Sequence, residues 1–449
     1  MTELMRNTDA FTWAMESDPR LRSTVVTVVL LDRCPNWEEL RRRIDLLTRR
    51  LPMFRQRVAP SLPPAPPRWE TAPDFDLDFH LRRVTAPVPA DLDVVLEMAR
   101  LAHMSDFDRA RPLWEVTLVD GLRDGGTALL CKFHHALTDG VGGVQIGMTL
   151  FDLDQTPTAP ALPPVPTVPA RAWHSDYSDV ARYDVRLAAA TVTAATGMLT
   201  DGIRHPRSSL AAVCATAASV YRTVRPIGGT GSPLMKQRGL GRRLGTHDVP
   251  LSRLREAAHR SDGALNDAFV AGVLGGIRRY HEKHGAAVDT VHLTMPISLR
   301  TASDAMGGNR ITLMRFDVPT GTADPACRIR EVHARAAQVR SERSLPYTQV
   351  IAGALNLMPR WYIGSVLRHV DVVASDVPGI PVPVHLGGAR LRAQYAFGPT
   401  IGAAVNVTLL SYQDTCHFGI NVDTAAIPDY DTFHDCLVQG FEEVLSVAD

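Results

Sequence analysis

Six prolines fall between residues 155 and 170, and each removes a backbone N–H donor and fixes its own φ. Neither a helix nor an interior strand runs through such a stretch, so the chain divides there. Length demands a division as well: 449 residues exceed the roughly 250–300 at which one hydrophobic core stops growing. We expect an N-terminal domain over 1–154, a proline-rich connector and Ala-rich helical crossover over 155–245, and a C-terminal domain over 246–449.

Both sides of the division mix strand and helix. The β-branched run Thr24–Leu31 reads as a buried strand. Trp37, Leu40, Ile44, Leu47 and Leu51 recur at helical spacing until Pro52 stops them. A helix near 91–103 follows, then strands over 113–119 and 127–133 joined at Gly125-Gly126. Beyond the connector, an apolar stripe from Leu210 to Val224 is flanked by arginines, as suits a docking face or a helix lying on anionic lipid. A glycine-rich basic loop over 228–245 leads to a helix at 265–277 and a strand at 291–297. Further helices are expected near 326–340 and 350–368, and strands near 370–374, 391–397, 405–410 and 417–422. Mixed elements without strict βαβ alternation predict an α+β fold, each half a mixed sheet backed by helices.

Composition narrows the function classes. Lys plus Arg number 48, equal to Asp plus Glu, so nothing in the net charge favours nucleic acid as a partner. Six widely spaced cysteines without a CxxC pair make neither a disulfide framework nor a zinc knuckle, and suit a reducing cytosol. No run approaches the roughly 18 apolar residues of a spanning helix, and residues 1–22 lack a signal-peptide core. The expectation is a soluble protein or one attached to a membrane surface.

At the end of the strand near 127–133 stands His134-His135-Ala136-Leu137-Thr138-Asp139-Gly140. Successive strand side chains point to opposite faces, so only one of the two imidazoles enters a given cleft. An imidazole titrates near neutrality and suits taking a proton from an alcohol. Asp139 fits an ordering carboxylate if a cation compensates it, and equally an N-cap for the helix that follows. Gly140 permits close backbone approach. Zinc would need about three protein ligands at short spacing, and no third ligand sits close, which disfavours a metal hydrolase. Asn266 and Asp267 open a helix and are also cap-type residues; Leu113 and Trp114 are also core-type residues.

The seven residues match the HHxxxDG motif of the CoA-dependent acyltransferase superfamily. Within it, the chain resembles the bacterial wax ester synthase/diacylglycerol acyltransferase family. Asp9-Ala10-Phe11 resembles that family's opening signature, Arg111-Pro112-Leu113-Trp114-Glu115 its PLW element, Asn266-Asp267 its ND motif, and Pro296-Ile297-Ser298-Leu299-Arg300 its PVSLR element. Gly308-Asn309-Arg310, Val377-Pro378-Gly379 and Leu410-Ser411-Tyr412 follow in the expected order. Two positions depart from it: Asp376 stands where many relatives have Asn, and Leu234-Met235 where they often have Leu-Asn.

The resemblance implies two chloramphenicol-acetyltransferase-like domains with a substrate tunnel at their interface. It implies transfer of a fatty acyl group from acyl-CoA to diacylglycerol or a long-chain alcohol, with His135 as base. His134, Asp139, Gly140 and Asn266 are the accompanying catalytic candidates, Asn266 as an oxyanion donor. Leu113, Trp114, Asp267, Arg300, Asn309, Ser375 and Asp376 are the substrate-binding candidates, and Arg300 is the expected partner of Asp139. Acyl-CoA is a co-substrate, and no cofactor or metal is expected. Lys236, Arg238, Arg242 and Arg243 are the basic groups expected to meet its phosphates. The implied location is cytoplasmic, peripheral at the inner membrane or lipid droplets. Two other readings stay open: an acyltransferase of the same fold acting on a polyketide or carrier-bound acceptor, and a non-catalytic lipid-binding paralogue.

Overall fold

The computed structural model describes residues 3–138, 140–155, 161–165, 177–185, 188–189, 221, 225–226, 228–298, 311–340, 348–356, 358–359, 362, 364 and 369–449. In the first half, β1 (Glu3–Leu4) and α1 (Asn7–Met15) precede β2 (Thr24–Leu31). Helix α2 (Trp37–Arg50) starts where the Asn36 side chain accepts the Glu39 amide and ends ahead of Pro52. Then come β3 (Gln56–Ala59), β4 (Arg68–Thr71), α3 (Leu77–His80), β5 (Leu81–Thr85), α4 (Leu92–Met104), β6 (Trp114–Asp120), β7 (Thr127–His134) and α5 (Gly140–Leu150). The turn between β6 and β7 needs Gly125, whose φ is +77°.

The second half holds β8 (Arg242–Pro250), α6 (Leu251–Arg260), α7 (Leu265–Lys283), β9 (Thr290–Ser298), β10 (Ile311–Pro319), α8 (Pro325–Arg340) and α9 (Thr348–Asn356). It continues with β11 (Val372–Ile380), β12 (His385–Leu386), β13 (Ala389–Phe397), β14 (Val405–Tyr412), β15 (Thr415–Asp423) and α10 (Tyr430–Ser446). Two six-stranded sheets result, ordered β12-β13-β2-β7-β6-β5 and β10-β9-β11-β14-β15-β8, with a small sheet β1-β4-β3 beside them. Each large sheet mixes parallel and antiparallel pairs, which makes the fold the expected α+β.

Sheet membership does not follow chain order. β13, from the C-terminal stretch, pairs antiparallel with β2, setting Tyr395 opposite Val28 and Phe397 opposite Val26. The first sheet is therefore completed by residues some 360 positions downstream of the strand they pair with. Among the elements that go beyond the sequence reading are three longer ones. β8 begins at Arg242, inside the stretch read as a loop, and tolerates its charged residues because it is an edge strand. β10 and α10 are the others; α10 buries Phe433, Cys436, Leu437, Gly440, Phe441 and Val444 at helical spacing against α7.

β13 also runs against β14 and β15 of the second sheet, and Gly419 on β15 makes that approach possible. A Cβ at residue 419 would stand 2.1 Å from the Ala396 carbonyl oxygen, far inside contact distance. Backbone cannot swing aside as a side chain can, so Gly419→Ala should destabilise the protein by about 1–3 kcal/mol, the usual cost of overpacking. Urea unfolding checks this, and a midpoint equal to wild type would refute the close approach.

Candidate active site

The pleat of β7 separates the two histidines. Leu129, Cys131 and Phe133 line a cavity of about 290 Å³, and His135 keeps their parity and lines it as well. His134 has the opposite parity and is fully buried. The same every-second-residue rule builds the other walls: Val25, Thr27 and Val29 from β2, Val373, Ser375 and Val377 from β11, and Asn406, Thr408 and Leu410 from β14. Gly143, Val144 and Gly147 of α5 and Phe11 of α1 close the near side. Residues of both sheets thus enclose one mostly apolar space with a few polar groups on its wall. Asn406 is occupied there: its Nδ2 donates to the Pro399 carbonyl at 2.8 Å, and its Oδ1 accepts the Thr408 hydroxyl at 2.9 Å.

Around the motif, the backbone is held from several sides. The His135 amide donates to the Ser23 carbonyl at 2.8 Å, and the Leu137 amide to the His134 carbonyl at 2.9 Å. The His134 Nδ1 accepts the Ala136 amide at 3.0 Å. Its Nε2 lies 3.0 Å from Oε1 of Glu16, out of line with the ring N–H direction. Burial opposes charge on Glu16, but His134, the Ser23 amide and Arg109 outweigh it and hold the carboxyl below its ordinary range. Cys131 also lines the cavity; burial pushes its thiol up to about 12, so it stays protonated and a poor nucleophile at neutral pH.

Ser375 joins His135 at the cavity, and Gly140 opens α5. The other described candidates stand elsewhere. Leu113 and Trp114 are core: the indole N–H donates to the Phe54 carbonyl at 2.8 Å and the ring stacks on His80 at 4.6 Å. Asp267 accepts the Ala264 amide at 2.8 Å and lies 2.7 Å from Nδ1 of His333, so it fastens the start of α7 rather than substrate. Asn266 points its Nδ2 at the Met295 sulfur, 3.4 Å away, and is not among the described residues lining the cavity. Asp376 alternates with Ser375 and faces the helix-covered side, the side of Val372 and Ala374 in the C-terminal core. The expectation of substrate contact at Leu113, Trp114, Asp267 and Asp376 therefore does not fit their placement.

Of the basic loop, Lys236 and Arg243 are exposed, whereas Arg238 and Arg242 are taken up by the fold. Arg238 donates to the carbonyls of Val370 and Gly402, each at 2.7 Å, and buried Arg242 pairs with Asp423 at 3.2 Å. Both hold the fold together. Asp139, Arg300 and Asn309 lie outside the described residues, as does the stripe from Leu210 to Val224 except Tyr221, which is exposed. The sequence reading missed Glu16, Asn406 and Thr408. For the last two a signal existed, since polar residues alternate with apolar ones along VNVTLL; for Glu16 none did.

Two family profiles match the chain. One, described as the wax ester synthase/diacylglycerol acyltransferase catalytic domain, matches residues 5–269, and one described as the WS/DGAT C-terminal domain matches residues 307–444. A candidate diacylglycerol O-acyltransferase of Mycobacterium tuberculosis strain H37Rv is 36% identical over 442 residues, covering 96% of this chain and 90% of that protein. A second from the same strain is 31% identical over 367 residues, with 78% of each chain covered. Among solved structures, the wax ester synthase/diacylglycerol acyltransferase from Marinobacter aquaeolei VT8 superposes with a TM-score of 0.65 at 21% identity, covering 99% of both chains. The first condensation domain of the calcium-dependent antibiotic synthetase gives 0.64 at 15% identity, covering 100% of this chain and 96% of that one. At such identities these structures establish the fold, the two-domain chloramphenicol-acetyltransferase-like arrangement.

Asp376 yields a pH-dependent test. Burial raises its carboxyl from the ordinary 3.8 to about 6, and the Arg340 charge offsets only part of that rise. The folded state thus favours the protonated acid. Its contribution to stability is greatest below pH 3.8 and is lost as pH rises through about 6. Asp376→Asn should raise stability by about 1–3 kcal/mol at pH 8 and change it little at pH 3.5. Urea unfolding at the two pH values checks this; equal effects at both would contradict the burial of the charge.

Proposed function

Because the chain belongs to the wax ester synthase/diacylglycerol acyltransferase family and is accordingly an acyltransferase, we propose that it joins a fatty acyl group from acyl-CoA to the hydroxyl of diacylglycerol or of a long-chain alcohol. The observation that carries this reading is the His135 side chain at the wall of the apolar cavity between the two sheets. A mostly apolar wall suits fatty chains, and a single imidazole supplies the proton chemistry the transfer needs.

In this reading both substrates are bound together. The His135 imidazole takes the acceptor's hydroxyl proton as that oxygen forms its bond to the thioester carbonyl carbon. The carbon–sulfur bond then breaks, and the departing thiolate takes the proton back from the imidazolium. The products are an ester and free CoA, and the imidazole is regenerated. The protonated Cys131 favours direct transfer over an acyl-cysteine intermediate. Acceptor and product are nearly insoluble in water, so the enzyme would work at a cytoplasmic membrane or lipid-droplet surface. No helix among the described residues is long and apolar enough to cross a membrane, and attachment would be peripheral.

His135→Ala should lower kcat by about 10²–10⁴-fold while the protein stays folded, the range for losing a general base. Offering one labelled acyl-CoA to diacylglycerol, hexadecanol and a carrier-bound hydroxyl together, and resolving the products, identifies the acceptor. Label in triacylglycerol or wax ester supports the proposal, and label on the carrier-bound acceptor alone would replace it.

A further inference from the structure

The Glu16 carboxylate is 3% exposed and stands behind the motif, not in the cavity. We propose that Glu16 is a positioning residue for acyl transfer: it holds the His134 ring in one tautomer and the Ser23 backbone in place, and these together set the His135 imidazole at the cavity wall. The proposal rests on His135 being the base.

A backbone N–H can only donate, so the Ala136 amide at 3.0 Å requires a lone pair on His134 Nδ1. The hydrogen of the neutral ring then sits on Nε2, the atom that faces Glu16 Oε1 at 3.0 Å. The other tautomer would oppose two N–H groups at Nδ1 and aim a lone pair at a carboxylate. The same Oε1 accepts the Ser23 amide at 2.8 Å, and the Ser23 carbonyl accepts the His135 amide at 2.8 Å. Residues 16, 23, 135 and 134 therefore form a closed circuit with one carboxylate oxygen at its junction.

Ser23 and His134 are fully buried. Trp13 meets the His134 ring edge-on at 5.5 Å, and Phe107 does so at 6.1 Å, so the ring has little room to turn. Arg109, 3.9 Å from the outer oxygen, adds a positive charge beside the acid. A buried carboxylate is a poor way to add stability, because a well-packed apolar side chain often does as well. What Glu16 supplies that an apolar residue cannot is a negative charge 3.0 Å from the His134 ring nitrogen and an acceptor for the Ser23 amide. Small errors in placing a base are costly; about 1 Å is worth about 10²-fold in rate.

The test uses the full-length enzyme with kcat and KM measured for one acyl-CoA and one acceptor. Glu16→Gln keeps an oxygen in the Oε1 position and should hold kcat within about tenfold of wild type. Glu16→Met removes the acceptor at similar size and should lower kcat about 10–100-fold with KM within about twofold, the scale seen when a supporting partner is lost. A folded Glu16→Met with wild-type kcat overturns the proposal. Should Glu16→Met fail to fold, nitrogen NMR of labelled histidine in the wild-type enzyme decides, with His134 assigned by Glu16→Gln and His134→Gln spectra. A neutral, Nε2-protonated His134 at pH 7.5 supports the role, and an Nδ1-protonated or cationic ring overturns it. His135→Ala, run alongside, separates the two claims. Activity surviving there sinks the base assignment, whereas an inactive His135→Ala beside an unimpaired Glu16→Met sinks only the role of Glu16.

Discussion

Backbone hydrogen bonds between β13 and β2 join a late segment of the chain to a sheet whose other long strands are all complete by residue 134. Without that pairing the cavity would have no common wall, because β13 is the strand that also packs on β14 and β15 of the second sheet. Gln394 and Ala396 on β13 line the cavity while Tyr395 and Phe397 sink into the opposite core. One strand thus serves three purposes: it completes a sheet, seals the seam between the sheets, and faces the site. Until residues 389–397 are available, β2 is an edge with unpaired N–H and C=O groups, the kind of surface that invites wrong partners. Folding of the first half therefore has to wait for the second, a non-local demand of the sort that slows folding.

Within that frame the site is made by pleat geometry. β2, β7, β11 and β14 each give alternate residues to the cavity and alternate residues to a core. Where a strand is mostly apolar on both faces, a polar residue at cavity parity is a choice of chemistry, as with Ser375 and Thr408. Asp376 is the counterexample, because its polar group falls at core parity and is costly there. The motif is braced by buried Glu16 and His134, which do not line the cavity, and by Ser23, which does.

Much of this is legible in the sequence. The motif is compact in sequence, so its position at the end of β7 followed from the apolar run ahead of it, and strand alternation already required the two histidines to part. The prolines between 155 and 170 and the alternation of strand and helix on both sides gave the fold class. What could not be read were meetings across long gaps. Nothing in Glu16 announces His134, and nothing in β13 says which sheet it joins. Adjacent motif letters misled in another way: Ser375 and Asp376 are neighbours in the chain, yet the pleat sends them to opposite faces. Trp114 was recognisable as a core type, and the indole bond to the Phe54 carbonyl shows why a buried Trp suits that position.

Cys131 lends the cavity a property apart from acyl transfer. With its thiol pushed up to about 12 by burial, it stays protonated at pH 7. Peroxides and electrophiles react with the thiolate. A sulfur atom can therefore sit on the wall beside the reacting centre without making the enzyme a redox sensor. Among the described cysteines, oxidants would meet the exposed Cys34 and Cys327 before Cys131, and modification there would leave the cavity wall unaltered.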